Sequence, residues 1–283
     1  MREYEFVTID VFTEARFGGN PLAVVLRADG LSDAEMQAVA REFNLSETTF
    51  VRPASDPAHD AEVRIFTPAS ELPFAGHPNV GTALVLGARR AARPERMVFE
   101  ERAGLVAITF DWGEVAQATL EAPVPLTRVR DLDASLVAGW IGLQAGDVVT
   151  ELHAPCVAGV GSDFAIVQVT AAALGRAEGD VAAMRASAGM PGLKPRFGVH
   201  LYAREGDVLR TRMFAPLSGI PEDPATGSAN AALTALLLAC EGGERLALTI
   251  HQGAEMGRPS LLHAEAWRAA DGVRVRIGGG GVE

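Results

Sequence analysis

Two short segments of this 283-residue chain carry residue types that could move a proton and hold an anion. One is Gly76-His77-Pro78-Asn79-Val80-Gly81, the other Asp223-Pro224-Ala225-Thr226-Gly227-Ser228. Each contains a polar residue, a proline, two more residues and a glycine, and each leads into an apolar stretch. Proline suits a first helical turn, where its missing N–H would have no partner anyway. Glycine lets a ligand approach the backbone. The first N–H groups of a helix lack internal partners, and the helix dipole places partial positive charge there. Two such ends aimed at one cleft would hold a small carboxylate with neither Arg nor Lys. The alternative is a pair of ordinary capped helices facing solvent.

On the first reading, His77 and Asp223 face each other across a cleft, one from each half of the chain. On the second, His77 is a capping or buried structural residue, and Asp223 is an N-cap. Glu47, in Asn44-Leu45-Ser46-Glu47-Thr48-Thr49-Phe50, is by spacing one acidic residue among many, at what reads as a solvated loop position. Glu71 reads as a structural ion-pair partner for Arg64.

Other chemistries leave no trace. The chain has no Gly-rich phosphate loop, no nucleotide fingerprint, no Cys/His spacing suited to zinc and no Gly-x-Ser-x-Gly elbow. The expectation is a mechanism with no cofactor and no metal. The net charge of −11, with no basic cluster longer than Arg89-Arg90, argues against nucleic acid and against an anionic membrane surface. An anionic ligand must therefore be held by local groups. Two cysteines, Cys156 and Cys240, make no disulfide framework. The N-terminus lacks the apolar stretch of a secretory signal, and the apolar run Ala231–Cys240 is too short to cross a bilayer, so a cytoplasmic location is expected.

The elements that must position these residues repeat along the chain. Gly19–Val25 resembles Gly161–Val167, Arg64–Pro68 resembles Arg212–Pro216, and His77–Ala83 resembles Asp223–Ala229. The order is the same and the spacings are nearly equal, which argues for two related halves. Alternating patterns predict strands near 5–12, 23–26, 48–51, 62–66, 97–100, 105–109 and 115–120. In the second half they predict strands near 164–169, 198–203, 209–214, 247–250 and 273–277. Helices are expected at 32–43, opened by the capping-box pair Ser32 and Glu35, at 78–87, within 181–188, and at 226–240. The helices at 78–87 and 226–240 carry almost no charge on any face, which marks them as buried. The fold class is α+β: two pseudo-symmetric halves, each a strand-rich, barrel-like sheet wrapped around a buried central helix. The expected boundaries are 1–122 and 123–283, with Pro123–Pro125 as linker and the last strands able to cross back to the first half.

These motifs resemble the PhzF (phenazine-biosynthesis-like) family, within the diaminopimelate-epimerase fold. The matching stretches include Asp10-Val11-Phe12-Thr13, Phe17-Gly18-Gly19-Asn20-Pro21, Asn44–Phe50, Phe66-Thr67-Pro68, and Glu71 through Pro78. Asp223–Ala229 and Gln252–Ser260 complete the match. The resemblance implies an isomerase moving a proton on a small, conjugated carboxylate, as in the isomerisation of a dihydro-hydroxyanthranilate. It implies that Glu47 is the acid/base, with His77 and Asp223 positioning the substrate and assisting proton movement. It further implies that Asn20, Ser46, Gly76, Gly227 and Ser228 bind substrate, and that the protein is a homodimer. A carboxyl base works best when removed from water, so Glu47 is expected to be buried. Fold relatives that racemise amino acids use two cysteines; the matching positions here are Ala75 and Pro224. A racemase or epimerase on the same site, and a non-catalytic carboxylate-binding protein, are the alternatives. Exchange of carbon-bound hydrogen with solvent separates both enzymes from the binding protein.

Overall fold

The structure, a computed structural model, describes residues 2–206 and 208–283. The chain divides into two compact units. Unit 1 is the chain up to Glu121 together with Gly278–Glu283, and unit 2 is Ala122–Ile277.

Unit 1 contains β1 (Phe6–Val11), β2 (Asn20–Val25), α1 (Asp33–Phe43), β3 (Glu47–Arg52), β4 (Ala61–Phe66) and the short β5 (Glu71–Leu72). It continues with α2 (Gly76–Ala88), β6 (Arg96–Glu101), β7 (Gly104–Trp112) and β8 (Ala116–Glu121). Strand β1 runs antiparallel to β2, β2 parallel to β3, β3 antiparallel to β4, and β4 parallel to β6. Strands β6, β7 and β8 form an antiparallel meander. The last strand of the chain, β17 (Gly272–Val282), pairs with both β1 and β8. These pairings close a ring of eight strands, which leaves no free edge.

Helix α2 fills that ring. Its residues from Gly76 to Val85 are all buried, as its all-round apolar sequence requires. Gly81 is where the helix comes closest to the wall. A Cβ there would lie 2.6 Å from Val11 Cγ2 and 2.7 Å from Leu22 Cδ2. Midway along the helix, Thr82 shares a hydrogen bond with Thr49 of β3 at 2.8 Å. Outside the ring, α1 opens on the full Ser32/Glu35 capping box and ends on Asn44 in the left-handed conformation. Its Met36 and Ala40 pack with Val25, Phe50 and Phe66. Strands covered on both faces in this way are almost continuously apolar.

Unit 2 repeats the plan. Its elements begin with β9 (Thr127–Asp131), α3 (Ala134–Trp140), β10 (Cys156–Gly159), β11 (Asp163–Gln168), α4 (Ala171–Leu174) and α5 (Val181–Ser187). Next come β12 (Val199–Glu205), β13 (Val208–Ala215), β14 (Ile220–Asp223), α6 (Gly227–Glu241), β15 (Arg245–Gln252) and β16 (Ser260–Ala269). The sheet runs β9-β10-β11-β12-β13-β15-β16, with parallel pairs β11/β12 and β13/β15. Helix α6 is buried along most of its length and packs on β10, β11, β15 and β16. Helices α3, α4 and α5 cover a core built on Trp140, Phe197, Leu174 and Met184.

The repetition extends to ion pairs. Arg64 binds Glu71 and lies over the Phe66 ring; Arg212 binds Glu222 and lies over the Phe214 ring. Glu71 therefore has the structural role expected of it. No helix among the described residues is long and apolar enough to cross a membrane.

Candidate active site

In unit 1 the singled-out residues meet where β2, β3 and α2 begin. Asn20 opens β2, and Glu47 opens the parallel strand β3, opposite Leu22. The left-handed Asn44 cap ends α1, so the chain turns directly into Ser46 and Glu47. Ser46 donates a hydrogen bond to Asn20 Oδ1 at 3.0 Å, and Asn20 is fully buried. The Glu47 side chain keeps 13% of its exposure, so it is a strand-end carboxylate removed from most water and no solvated loop residue.

Helix α2 brings His77 to it. His77 lies in the first turn with Nδ1 3.5 Å from Glu47 Oε2. That spacing alone would favour an imidazolium, but burial dominates and pushes the His77 pKa down to about 3. The imidazole is neutral at physiological pH, and its other nitrogen, Nε2, is buried with no hydrogen-bond partner. The N-cap of α2 is Ala75, which has no side chain able to cap, so the first-turn amides receive no side-chain oxygen.

Glu101, at the end of β6, lies near Asn79 of α2. Both its carboxyl oxygens are buried without a hydrogen bond, and burial pushes its pKa up to about 8, with the nearby Asn79 amide pulling the other way.

In unit 2, Asp223 ends β14 and is buried. It is not the N-cap of α6; that residue is Thr226, whose hydroxyl donates to Asp223 Oδ2. Thr226 therefore leaves the amides of α6 without a side-chain cap. Gly227 and Ser228 form the first turn of α6.

The shared sequence pattern hides a difference. His77-Pro78 sits inside the first turn of α2, whereas Asp223-Pro224 precedes α6. The two polar residues thus hold different places relative to otherwise similar helix starts. A second difference concerns Glu47. Ala23 pairs with Thr48 in unit 1, and Ala165 with Val199 in unit 2. The place of Glu47 is therefore taken in unit 2 by Gly198, which carries no acid or base.

Neither cysteine offers an alternative nucleophile or base. Cys156 is fully buried in β10, and burial pushes its thiol up to about 12. Cys240 lies near the end of α6 with its pKa also raised. Sequence reading left Thr226 and Gln252 without a role, although both lie in quoted motifs; Gln252 donates to the Asp223 carbonyl at 2.8 Å.

The chain is similar to known proteins along nearly its whole length. Residues 9–283 match the family model described as phenazine biosynthesis-like protein. The chain is 37% identical to trans-2,3-dihydro-3-hydroxyanthranilate isomerase of Pseudomonas chlororaphis, covering 99% of this chain and 96% of the relative. Among solved structures, a PhzF-family phenazine biosynthesis protein of Bacillus anthracis superposes with a TM-score of 0.87 at 24% identity, covering 99% of this chain and 97% of the other. A protein of Pseudomonas aeruginosa described as a predicted epimerase superposes with a TM-score of 0.83 at 31% identity, covering 99% and 96%.

Proposed function

The chain belongs to the phenazine biosynthesis-like (PhzC-PhzF) family, and from that premise we propose that it is a cofactor-independent isomerase that shifts a proton along a small conjugated carboxylate, with Glu47 as the acid/base. The observation that carries this reading is the shielded Glu47 carboxylate within 3.5 Å of a buried, neutral His77. Glu47 takes a proton from a saturated carbon of the substrate. The C–H electron pair moves into the conjugated system, and the proton returns two carbons away. Substrate and product are isomers, so no oxidant or co-reactant is consumed. A positioned acid/base of this kind contributes about 10²–10⁴-fold in rate.

His77 and Asp223 hold and relay protons to the substrate's polar groups. The uncapped first-turn amides at Gly76 and at Gly227–Ser228 receive the carboxylate, with Asn20 and Ser46 shaping the pocket. Substrates of the class named for the Pseudomonas relatives, dihydro-hydroxyanthranilates, fit this chemistry. One base serving both proton steps suits an isomerase better than a two-base epimerase, since Gly198 occupies the Glu47 place in unit 2. Family resemblance also supports a homodimer, which sedimentation measurements test.

The reaction is tested by proton NMR in D2O, with trans-2,3-dihydro-3-hydroxyanthranilate and a panel of related conjugated carboxylates, for wild type and Glu47→Gln. Loss of a carbon-bound proton signal, or growth of an isomer, is expected with wild type alone. Exchange that survives in Glu47→Gln would remove Glu47 from the acid/base role. Binding without exchange across the panel would favour a carboxylate-binding protein.

A further inference from the structure

Asp223 ends a run of buried and partly buried hydrogen bonds that all point the same way, and we propose that Thr226 and Gln252 are positioning residues that aim its carboxylate and the first turn of α6. This rests on the reading above that Asp223 takes part in the reaction. The run starts at His200, whose Nε2 lies 3.0 Å from Asn230 Oδ1. Asn230 Nδ2 donates to Gln252 Oε1 at 2.7 Å and to the Thr226 carbonyl at 3.1 Å. Gln252 Nε2 donates to the Asp223 carbonyl at 2.8 Å and to Thr226 Oγ1 at 3.2 Å. Thr226 Oγ1 then donates to Asp223 Oδ2.

Backbone atoms set the direction. The carbonyls of Thr226 and Asp223 only accept, so the ends of Asn230 and Gln252 that face them must be the NH2 groups. The oxygen of Gln252 then faces its donors, Asn230 Nδ2 and the Thr226 amide. The oxygen of Asn230 faces His200, which must donate from Nε2. His200 can do so as a neutral ring: it is fully buried and its pKa is pushed down to about 4. The hydroxyl of Thr226 receives a proton from Gln252, so its own single proton goes to Asp223.

His200, Asn230 and Gln252 are buried to 2% exposure or less. In such surroundings each donor polarises the next, and the acceptor at the end is held as an acceptor. Arg212 pairs with Glu222, the residue before Asp223, and the first turn of α6 carries no charge.

The arrangement also gives the Gln252–Ser260 motif a purpose. Gly253 has φ +77°, and a Cβ there would lie 2.6 Å from the Pro224 carbonyl oxygen. Ser260 donates to that same carbonyl at 2.9 Å. The motif is a saddle under Asp223–Thr226.

The test is the titration of the Asp223 carboxyl, followed by carbon-13 NMR with Asp223→Asn for assignment, in wild type, Thr226→Val, Thr226→Ser and Gln252→Leu. Thr226→Val keeps the side-chain shape, so it isolates the hydrogen bond even if Gln252→Leu fails to fold. The Asp223 midpoint should rise by about one pH unit in Thr226→Val, the size expected for one hydrogen bond to a charged group. It should rise less in Gln252→Leu and return in Thr226→Ser. With a substrate that wild type turns over, kcat should fall about tenfold in Thr226→Val with little change in KM, and recover in Thr226→Ser. A midpoint that stays put in Thr226→Val, or is not restored by Thr226→Ser, overturns the proposal. If wild type exchanges nothing in the panel, the proposed function fails on that ground, and the Asp223 titration still decides the positioning.

Discussion

Burial sets the protonation of several side chains, and the direction differs between them. His77 and His200 have folded-state pKa values of about 3 and about 4, below their ordinary 6.5, because burial penalises the imidazolium. The unfolded chain therefore binds more protons, and the stability they contribute is present above pH 6.5 and lost as pH falls toward 4 and 3. We expect the Tm of wild type to drop between pH 6.5 and 4.5, and the drop to shrink in His77→Gln, as calorimetry at spaced pH values would show. Glu101 has the opposite sign. Its pKa of about 8 lies above its ordinary 4.5, so the folded chain binds more protons, and stability falls as pH rises from 4.5 to 8. Glu101→Gln should match wild type near pH 4.5 and exceed it at pH 8.5 by roughly 1–3 kcal/mol, the cost of an unpaired buried polar group. A gap that does not widen with pH in paired urea titrations would refute this. Sequence spacing marked none of these shifts. As for the candidate base, Glu47 stood out only through family resemblance, because an acidic residue at a helix–strand junction has no periodic signature.

At the scale of elements, caps and close contacts decide where the side chains sit. The α1 capping box was legible as Ser32 and Glu35, because both hydrogen bonds are local. Ser32→Ala should cost about 1 kcal/mol in urea unfolding, and a cost near zero would show that tertiary packing alone holds α1. The walls of the unit 1 ring constrain α2 more tightly. Gly81→Ala must displace Val11 and Leu22, so it should destabilise by about 1–3 kcal/mol despite the better helix propensity of alanine. A Gly81→Ala variant as stable as wild type would mean that these side chains move aside freely. The buried helices were legible too, from apolarity on every face. Their starts were legible to within two residues, but not the difference between them: α2 begins ahead of His77, whereas α6 begins beyond Asp223, Pro224 and Ala225. The choice lies in the backbone at Asp223, which continues β14 against β13, and that pairing is made with residues the local pattern does not contain.

At the scale of the molecule, unit 1 is completed by the far end of the chain. Gly278–Val282 pairs with β1 and β8, and the Phe12 amide donates to the Gly280 carbonyl at 2.7 Å. Removing residues 278–283 opens the ring and exposes two strand edges. Hydrogen exchange in β1 and β8 should then speed up at least tenfold relative to strands of unit 2; equal protection would mean that the ring does not need its closing strand. By itself the sequence determined the α+β class, the two related halves, both central helices, the Arg64–Glu71 pair and most strands, since periodicity and repetition are properties of the chain read in order. The short β5, β9, β10 and β14 and the long β16 escaped that reading, because their apolar positions are set by partners distant in sequence. Only the tertiary structure decided that Glu47 is shielded beside a neutral His77, that Gly198 takes its place in unit 2, and that Thr226 faces Asp223. The physical reason is that burial, and with it protonation and hydrogen-bond direction, depends on what the folded chain brings from afar to surround a group.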